Sequence, residues 1–526
     1  MRKAALHNLG CKVNSYETEA MQQMLEEAGY EIVPFQEGAD VYVINTCSVT
    51  NIADRKSRQM LHKARKMNPD AVVVAVGCYV QAAGEELKKD EAIDIVIGNN
   101  KKTELVEILK AWFEMQAGET ENSEAEDSEA ADSEAVNSGA SDSEVVNSGA
   151  ADSGTSDSGA SDSGAVDSGV EDSEAADSEA VDSGVADSRA ADSGTAHSGV
   201  MHIAEASHII DIGKTSEYER LSIKKIADHT RAFIKIQDGC NQFCSYFIIP
   251  YTRGRVRSRE PEEILEEVRC LADAGYREIV LTGIHLSSYG VDFPEERNLN
   301  LLRLIVQLDA VSGIERIRLG SLEPRIITDE FARTLSSLST FCPHFHLSLQ
   351  SGCDDTLKRM NRRYTTEEYA SRCELLRKYF KNPAITTDVI VGFPGESREE
   401  FETTKAYLER IHFYEMHVFK YSRRKGTRAD AMENQIPEQV KAERSDILLE
   451  LTERMSREYR ESFIGETKEV LMEEQITVDG TDYITGYTKE YIRVAGLWDE
   501  ALKGRMVTGL LGGFLTDEIM LFSREI

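Results

Sequence analysis

The chain has 526 residues, with 60 Lys and Arg against 93 Asp and Glu, a formal net charge of −33. That length predicts several domains, since one core rarely grows beyond about 250–300 residues, and the acidic balance taken whole argues against a nucleic-acid partner, which needs clustered cations. No apolar run approaches the roughly 18–20 residues of a membrane span, Met1–Gly10 lacks a signal-peptide core, and the nine cysteines then predict a reducing, cytoplasmic setting with free thiols or metal ligands.

In chain order, Ala4–Leu9 reads as a strand, Glu17–Ala28 as a helix, Val41–Asn45 as a strand and Asn51–Met67 as a helix. Ala71–Val76 follows as a strand and Thr103–Phe113 as a closing helix. Strands alternating with helices predict a small parallel α/β domain over residues 1–116. Ala117–Val200 then carries 22 acidic residues and one basic residue, Arg189. From Asp127 a pentad of the form Asp/Asn-Ser-Gly/Glu-x-x runs 15 times, departing from that form only at Arg189 and at His197 of the last copy, and holds no aromatic residue. Such a segment cannot bury enough apolar surface to offset its ordering entropy, so residues 117–200 are expected to be a disordered acidic linker. The linker holds −21 of the −33, and the remainder of the chain only −12. The charge argument against RNA therefore applies to one segment.

A second alternating series begins at Arg231–Ile236 and continues through Glu278–Thr282, Arg316–Leu319, His344–Leu349, Ile385–Val391 and Tyr414–Phe419. Helical patterns lie between, Pro261–Ala274 among them. Six β/α units over residues 226–458 predict a partial (β/α)6 barrel with its chemistry at the strand C-termini. A long charged helix, Pro437–Phe463, leads into a tail over 461–526. There Lys468–Met472, Tyr491–Val494, Arg505–Gly509 and Glu518–Phe522 predict a small β-barrel.

Two groups of cysteines can carry chemistry. Cys240 and Cys244 follow the first strand of the second series, where a loop lets two thiolates converge on an iron–sulfur cluster. Cys11, Cys47 and Cys78 each follow a strand of the first domain, so a parallel sheet brings them to one edge. A zinc site usually takes a fourth protein ligand, so a three-cysteine cluster with one exchangeable iron suits them better. Cys270 and Cys373 lie within helical patterns and are expected as buried or half-buried thiols, and Cys342 and Cys353 match no ligand spacing.

The stretch Asp238-Gly-Cys-Asn-Gln-Phe-Cys-Ser-Tyr-Phe-Ile-Ile-Pro-Tyr-Thr-Arg-Gly-Arg-Val-Arg-Ser-Arg259 resembles the cluster loop of the radical S-adenosylmethionine methylthiotransferases. Asn8-Leu-Gly-Cys-Lys-Val-Asn14, Asn45-Thr-Cys-Ser-Val-Thr50 and Gly77-Cys78 resemble the family's auxiliary-cluster motifs. The resemblance implies two [4Fe–4S] clusters, one on Cys11, Cys47 and Cys78 and one on Cys240 and Cys244, the latter two being catalytic. It also implies that Thr282, Gly283 and His285, in Leu281-Thr-Gly-Ile-His-Leu-Ser-Ser-Tyr-Gly290, contact S-adenosylmethionine, as do Gly392 and Glu396 in Gly392-Phe-Pro-Gly-Glu396. Where the family carries a third cluster cysteine this chain has Phe247, which offers no lone pair. Cys and Phe codons differ by one base, so a single change accounts for it.

On the fourth strand His344, His346, Ser348 and Gln350 alternate with apolar residues, a polar face suited to a barrel interior. Arg253, Arg255, Arg257 and Arg259 alternate likewise and are expected to contact RNA phosphates. Lys358, Arg359, Arg362 and Arg363 form a second basic cluster, and Arg423, Arg424, Lys425 and Arg428 a third. The tail resembles the TRAM RNA-binding module through Gly486-Tyr-Thr-Lys-Glu-Tyr-Ile-Arg-Val494, although Glu461–Ile526 carries 13 acidic and six basic residues. Among subfamilies the motifs around Cys11 and His285 are most similar to those of the enzymes acting on threonylcarbamoyladenosine. That similarity implies tRNA as partner, adenosine 37 of its anticodon loop as target, methylthiolation at C2, and an electron donor as a further partner. Two readings stay open: an enzyme impaired at Phe247, and a tRNA-binding iron–sulfur protein of the same family that has lost catalysis.

Overall fold

A computed structural model describes residues 1–117, 208–224 and 230–524, so the acidic linker expected over 117–200 lies outside the described residues apart from Ala117. Met1–Trp112 and His202–Ile526 form one compact unit and Phe113–Met201 a second. All the sheets among the described residues belong to the first.

The N-terminal region runs β1 (Lys3–Asn8), α1 (Lys12–Glu27), β2 (Glu31–Ile32), β3 (Val41–Thr46), α2 (Asn51–Met67), β4 (Val72–Gly77), α3 (Cys78–Leu87) and β5 (Ile95–Ile97). A helix over 105–117 (α4) follows. The strands are parallel in the order β2-β1-β3-β4-β5. Every residue of β3 and β4 is buried, as continuous apolar runs require in a parallel sheet covered on both faces. α2 starts where the pattern places it because the Thr50 hydroxyl accepts the Ala53 N–H at 3.1 Å. The sequence pattern does not mark β2, α3 or β5. Two are only two and three residues long, and α3 leaves β4 with no intervening loop, turning on Gly77 at φ +98°.

The second series runs β6 (Arg231–Asp238), α5 (Ile249–Thr252), β7 (Arg257–Ser258), α6 (Pro261–Asp273), β8 (Glu278–Gly283), α7 (Leu301–Asp309), β9 (Arg316–Leu319) and α8 (Asp329–Ser337). It continues with β10 (His344–His346), α9 (Asp354–Arg359), α10 (Thr366–Tyr379), β11 (Ala384–Val391), α11 (Arg398–Ile411), β12 (Glu415–Lys420) and α12 (Glu438–Glu461). β6, β8 and β9 are parallel, with the short β7 antiparallel on the β6 edge. β10, β11 and β12 are also parallel. Parallel bridges Ile317–Phe341 and Leu322–Leu347 join the two sets into one open, curved wall of six parallel strands. Apolar residues from the outward faces of β11 and β12 pack under the helices in a single large core.

The fourth strand is shorter than the expected His344–Leu349. Beyond His346 the Thr387 hydroxyl enters the ladder, accepting the Leu349 N–H at 3.0 Å and donating to the Leu347 carbonyl. A side chain thus replaces backbone pairing there.

The C-terminal strands β13 (Thr467–Val478), β14 (Thr481–Thr488), β15 (Arg493–Leu497), β16 (Met506–Phe514) and β17 (Met520–Arg524) close into a barrel in the order β13-β14-β15-β17-β16. β14 escapes the sequence pattern because Thr, Gly and Asp interrupt its apolar alternation. Its Gly486 allows close strand approach: a Cβ there would lie 2.2 Å from the Leu471 carbonyl oxygen. Among the described residues no helix is long and apolar enough to cross a membrane.

Candidate functional site

Cys11 caps α1 directly after β1, Cys47 follows β3, and Cys78 opens α3 at the end of β4. Adjacent parallel strands therefore deliver three thiols to one sheet edge. Cys47 and Cys78 are buried and Cys11 is exposed. Gly10, at φ +115°, leaves the space a ligand needs, since a Cβ there would lie 3.0 Å from the Cys47 sulfur. Asn14 lies 3.6 Å from the Cys11 sulfur, and the Asn99 amide lies 3.6 Å from that of Cys78. Burial pushes the Cys47 thiol up to about 12. Among the described residues, the donor sets close enough to share a single ion do not include these three sulfurs. Thiol-only donors, wider than one ion and backed by a cleared glycine, fit an iron–sulfur cluster.

The second thiol pair sits on the loop leaving β6. Gly239 at φ +72° is forced by crowding, because a Cβ would fall 1.8 Å from the Arg255 carbonyl oxygen. Phe243 holds the left-handed φ of +48° within the loop, its ring beneath Arg255 at 4.7 Å and edge-on to Tyr251. The Gln242 N–H lies 3.4 Å from the Cys240 sulfur and the Arg362 guanidinium 3.4 Å from that of Cys244. Burial pushes Cys240 up to about 11. Phe247 is half-buried and packs on Tyr246 with ring centroids 5.0 Å apart. The donor set of this loop is two thiols, one short of the three a [4Fe–4S] cluster would take here.

The structure corrects the arginine expectation. Arg253 and Arg257 are 0 % exposed and Arg259 3 %, so none of the three presents a face to RNA; Arg255 alone is exposed. Alternation fails as a guide because the segment leaves the C-terminal cap of α5 at Arg253 and turns at Gly254 (φ +72°) before β7 instead of running extended. The Arg253 guanidinium donates to Glu17 at 2.6 and 3.0 Å and to Asn14 at 2.8 Å. Its Nε lies 3.1 Å from the Cys78 sulfur. Lys235 bridges Glu17 and Asp238 at 2.6 and 2.7 Å, and Lys102 reaches Glu17 at 3.3 Å. Burial would raise Glu17, yet Arg253, Lys102 and Lys235 hold its carboxyl well below the usual range. One arginine just past the Cys240 loop thereby fastens the barrel to the three-thiol edge. At the other barrel edge, Arg424 is buried against Asp54 and Ser48, and Asn51 donates to the Arg423 carbonyl at 2.7 Å. Arg259 pairs with Glu267 and Arg359 with Glu400. Of the basic clusters, Arg255, Lys358, Arg363, Arg423, Lys425 and Arg428 remain exposed.

Thr282 is buried at the end of β8. Gln237 braces the turn after it: its Oε1 accepts the His285 N–H at 2.8 Å, and a Cβ on Gly283 would sit 3.0 Å from that oxygen. His285 Nδ1 bonds Ser288 Oγ at 2.7 Å, leaving Nε2 buried without a hydrogen-bond partner among the described residues. Burial, then Arg362, lowers this histidine to about 4, so the ring is neutral at pH 7. Gly392 accepts no side chain, since a Cβ would lie 2.3 Å from Lys441 Cγ. Glu396 is buried, accepts the Gly392 N–H at 2.7 Å and pairs with Arg444. Both contacts fall on Oε2 of the carboxylate. His344, expected on the open polar face, is buried and stacked on Tyr491 of the C-terminal barrel. Cys353 caps α9 beside Asp355 and Glu400. Of the two helical cysteines expected to be buried or half-buried, the structure buries Cys373 and exposes Cys270.

Sequence reasoning missed Glu17, Lys235 and Asp238, and the lumen side chains Asp388 and His417. The signal for the last two was present as alternation in Ala384–Val391 and Glu415–Lys420, where polar residues interleave with buried apolar ones.

The model of the Uncharacterized protein family UPF0004 matches residues 3–98, and that of the Radical SAM superfamily matches residues 234–408. The threonylcarbamoyladenosine tRNA methylthiotransferase MtaB of Bacillus subtilis (strain 168) is 36% identical over 96% of this chain and 93% of its own. The tRNA-2-methylthio-N(6)-dimethylallyladenosine synthase of Moorella thermoacetica is 30% identical over 97% of each. Among solved structures, the radical S-adenosylmethionine methyltransferase TsrM from Kitasatospora setae overlays with a TM-score of 0.48 and 15% identity, over 80% of this chain and 73% of that one.

Proposed function

Because the chain belongs to the radical S-adenosylmethionine tRNA methylthiotransferases, a family of transferases, we propose that its substrate is tRNA carrying N6-threonylcarbamoyladenosine at position 37 and its reaction the methylthiolation of that base at C2. The observation that supports this most is the three-thiol edge fastened to the Cys240 loop by Arg253. Residues 1–116 serve as the cluster-bearing domain, 226–458 as the radical core and 461–526 as an RNA-binding TRAM module. The chain works in the cytoplasm. Cys11, Cys47 and Cys78 would hold a [4Fe–4S] cluster whose open iron supplies a docking point for sulfur. Arg253 keeps Cys78 oriented, Gly10 clears the space, and Gln237 sets the turn that presents His285 toward S-adenosylmethionine. Arg255, Lys358, Arg363, Arg423, Lys425 and Arg428 supply the cations that meet tRNA phosphates.

Phe247 supports a second reading, a tRNA-binding iron–sulfur protein of this family without turnover. The two cysteines of the β6 loop do not complete the donor set, and no step is assigned to them. The Phe247→Cys chain, reconstituted anaerobically and given tRNA bearing threonylcarbamoyladenosine, should form the 2-methylthio nucleoside, detected by mass spectrometry, in clear excess over the parent chain. Absence of product from a variant that has gained iron would overturn the proposed reaction. Product from the parent chain would remove the second reading.

A further inference from the structure

The lumen-facing side of β10–β12 carries a group of side chains with no part in either thiol site. His346, Asp388 and His417 come from three adjacent strands, and their donor atoms lie within 4.8 Å of one another. His346 Nε2 is 3.2 Å from Asp388 Oδ2, and its Nδ1 bonds Thr386 Oγ1 at 3.0 Å, which fixes the ring. The rings of His346 and His417 are 5.6 Å apart. Ile385, Val389, Val391, Met416 and Val418 point the other way into the core under the helices, so the alternate residues face the lumen.

Register places a second level above this one. Asp388 pairs with His417 and Ile390 with Phe419, two residues nearer the strand C-termini, a rise of about 6–7 Å. Phe419 is 50 % exposed, an open aromatic surface on the edge strand. The wall is therefore apolar nearest the mouth, where the Cys240 loop and Arg362 lie, and polar one step deeper. A planar base suits the upper level, and a polar substituent suits the lower.

Charge identifies the substituent. Burial opposes ionisation of Asp388, but His346, His417 and Arg362 outweigh it and hold its carboxyl below the ordinary range. Burial pushes the neighbouring His344 well down, and Arg318, Lys12, His346 and His417 press in the same direction. Arg318 and Arg362 thus put fixed positive charge beside this level, which attracts an anionic ligand. The threonylcarbamoyl group presents a carboxylate together with N–H and hydroxyl donors.

Resting on the substrate proposed above, we infer that His346, Asp388 and His417 read the threonylcarbamoyl group: His417 donates to its carboxylate, and Asp388, oriented by His346, accepts from its N–H or hydroxyl. A site that hydrogen-bonds a substituent discriminates against the analogue that lacks it. The test is equilibrium binding of the full chain to anticodon stem-loops bearing threonylcarbamoyladenosine or plain adenosine at position 37. The parent chain should prefer the modified loop by about tenfold or more. His346→Ala with His417→Ala should bring the ratio near unity while leaving affinity for the plain loop unchanged, which also reports an intact fold. Asp388→Asn, of the same shape, should lower the ratio alone. An unchanged ratio in the variants overturns the inference while the substrate reading stands. A parent chain that binds both loops equally overturns both. A preference abolished by EDTA would assign the three side chains to a metal ion instead.

Discussion

The two thiol sites are built on opposite plans. Cys11, Cys47 and Cys78 each end a different strand of one sheet, so the hydrogen-bonded register that forms the sheet also sets their spacing. Cys240 and Cys244 share a single loop, and the position that would complete them belongs to the same excursion. A sheet cannot displace one of its thiols without disturbing a core strand. A loop can. Phe247 illustrates this, packing on Tyr246, which in turn meets Phe393 edge-on at 6.2 Å. The surroundings accommodate the ring, so the fold exerts no selection for a donor at that position, and only chemistry would.

Iron content gives the largest test of this contrast. Cys78→Ala should remove nearly all iron from the anaerobically reconstituted chain, about four atoms for one [4Fe–4S] cluster. Cys240→Ala should leave the parent value unchanged, because the incomplete loop retains no cluster. In the Phe247→Cys background, total iron should approach about eight atoms per chain, and Cys240→Ala should then halve it. Iron that follows Cys240 rather than Cys78 in the parent chain would reverse the assignment.

A second contrast separates charge from contact at Arg253. Arg253→Ala leaves Glu17 and Asp238 buried with fewer partners, and breaking a buried pair in this way costs about 3–5 kcal/mol. Urea denaturation of the full chain should show a loss of that order. Arg253→Lys keeps a cation near Glu17 but gives up the fork that reaches Asn14 and Cys78 together. Its stability should lie nearer the parent, while its iron retention falls. Equal iron in Arg253→Lys and the parent would limit Arg253 to domain attachment.

Where each cysteine stands on its strand was legible because strand ends marked by Gly or Asn are local features. The six-strand wall and the five-residue repeat of charge were legible for the same reason: both are periodic. The arginine stripe was misjudged because alternation signals one face only in extended chain, and 253–259 is not extended. Glu17 gave no signal at all. On the sequence it is one more acidic residue in an amphipathic helix, and its role depends on Lys102, Lys235 and Arg253 arriving from three distant segments. Long-range charge pairing of this kind has no period to detect. Asp388 and His417 lay between these extremes, since their alternation was visible but their convergence required the strand order.

Proton release distinguishes the two sites more gently. A thiol binds metal as thiolate, so loading must expel a proton from any cysteine whose ordinary form at pH 7 is protonated. Burial raises Cys47 on the sheet edge to about 12 and Cys240 on the loop to about 11. Each thiol that is protonated before it ligates expels one proton, with three thiols on the edge and two on the loop, and apparent affinity climbs about tenfold per pH unit for each. Affinity therefore strengthens as pH rises, and more steeply at the sheet edge. Cobalt(II) titrations followed by thiolate charge-transfer absorption, between pH 6.5 and 8.5, should give a steeper slope for Cys240→Ser, which isolates the edge, than for Cys47→Ser, which weakens it. Equal slopes would mean that the edge delivers no more thiolates to the metal than the loop does.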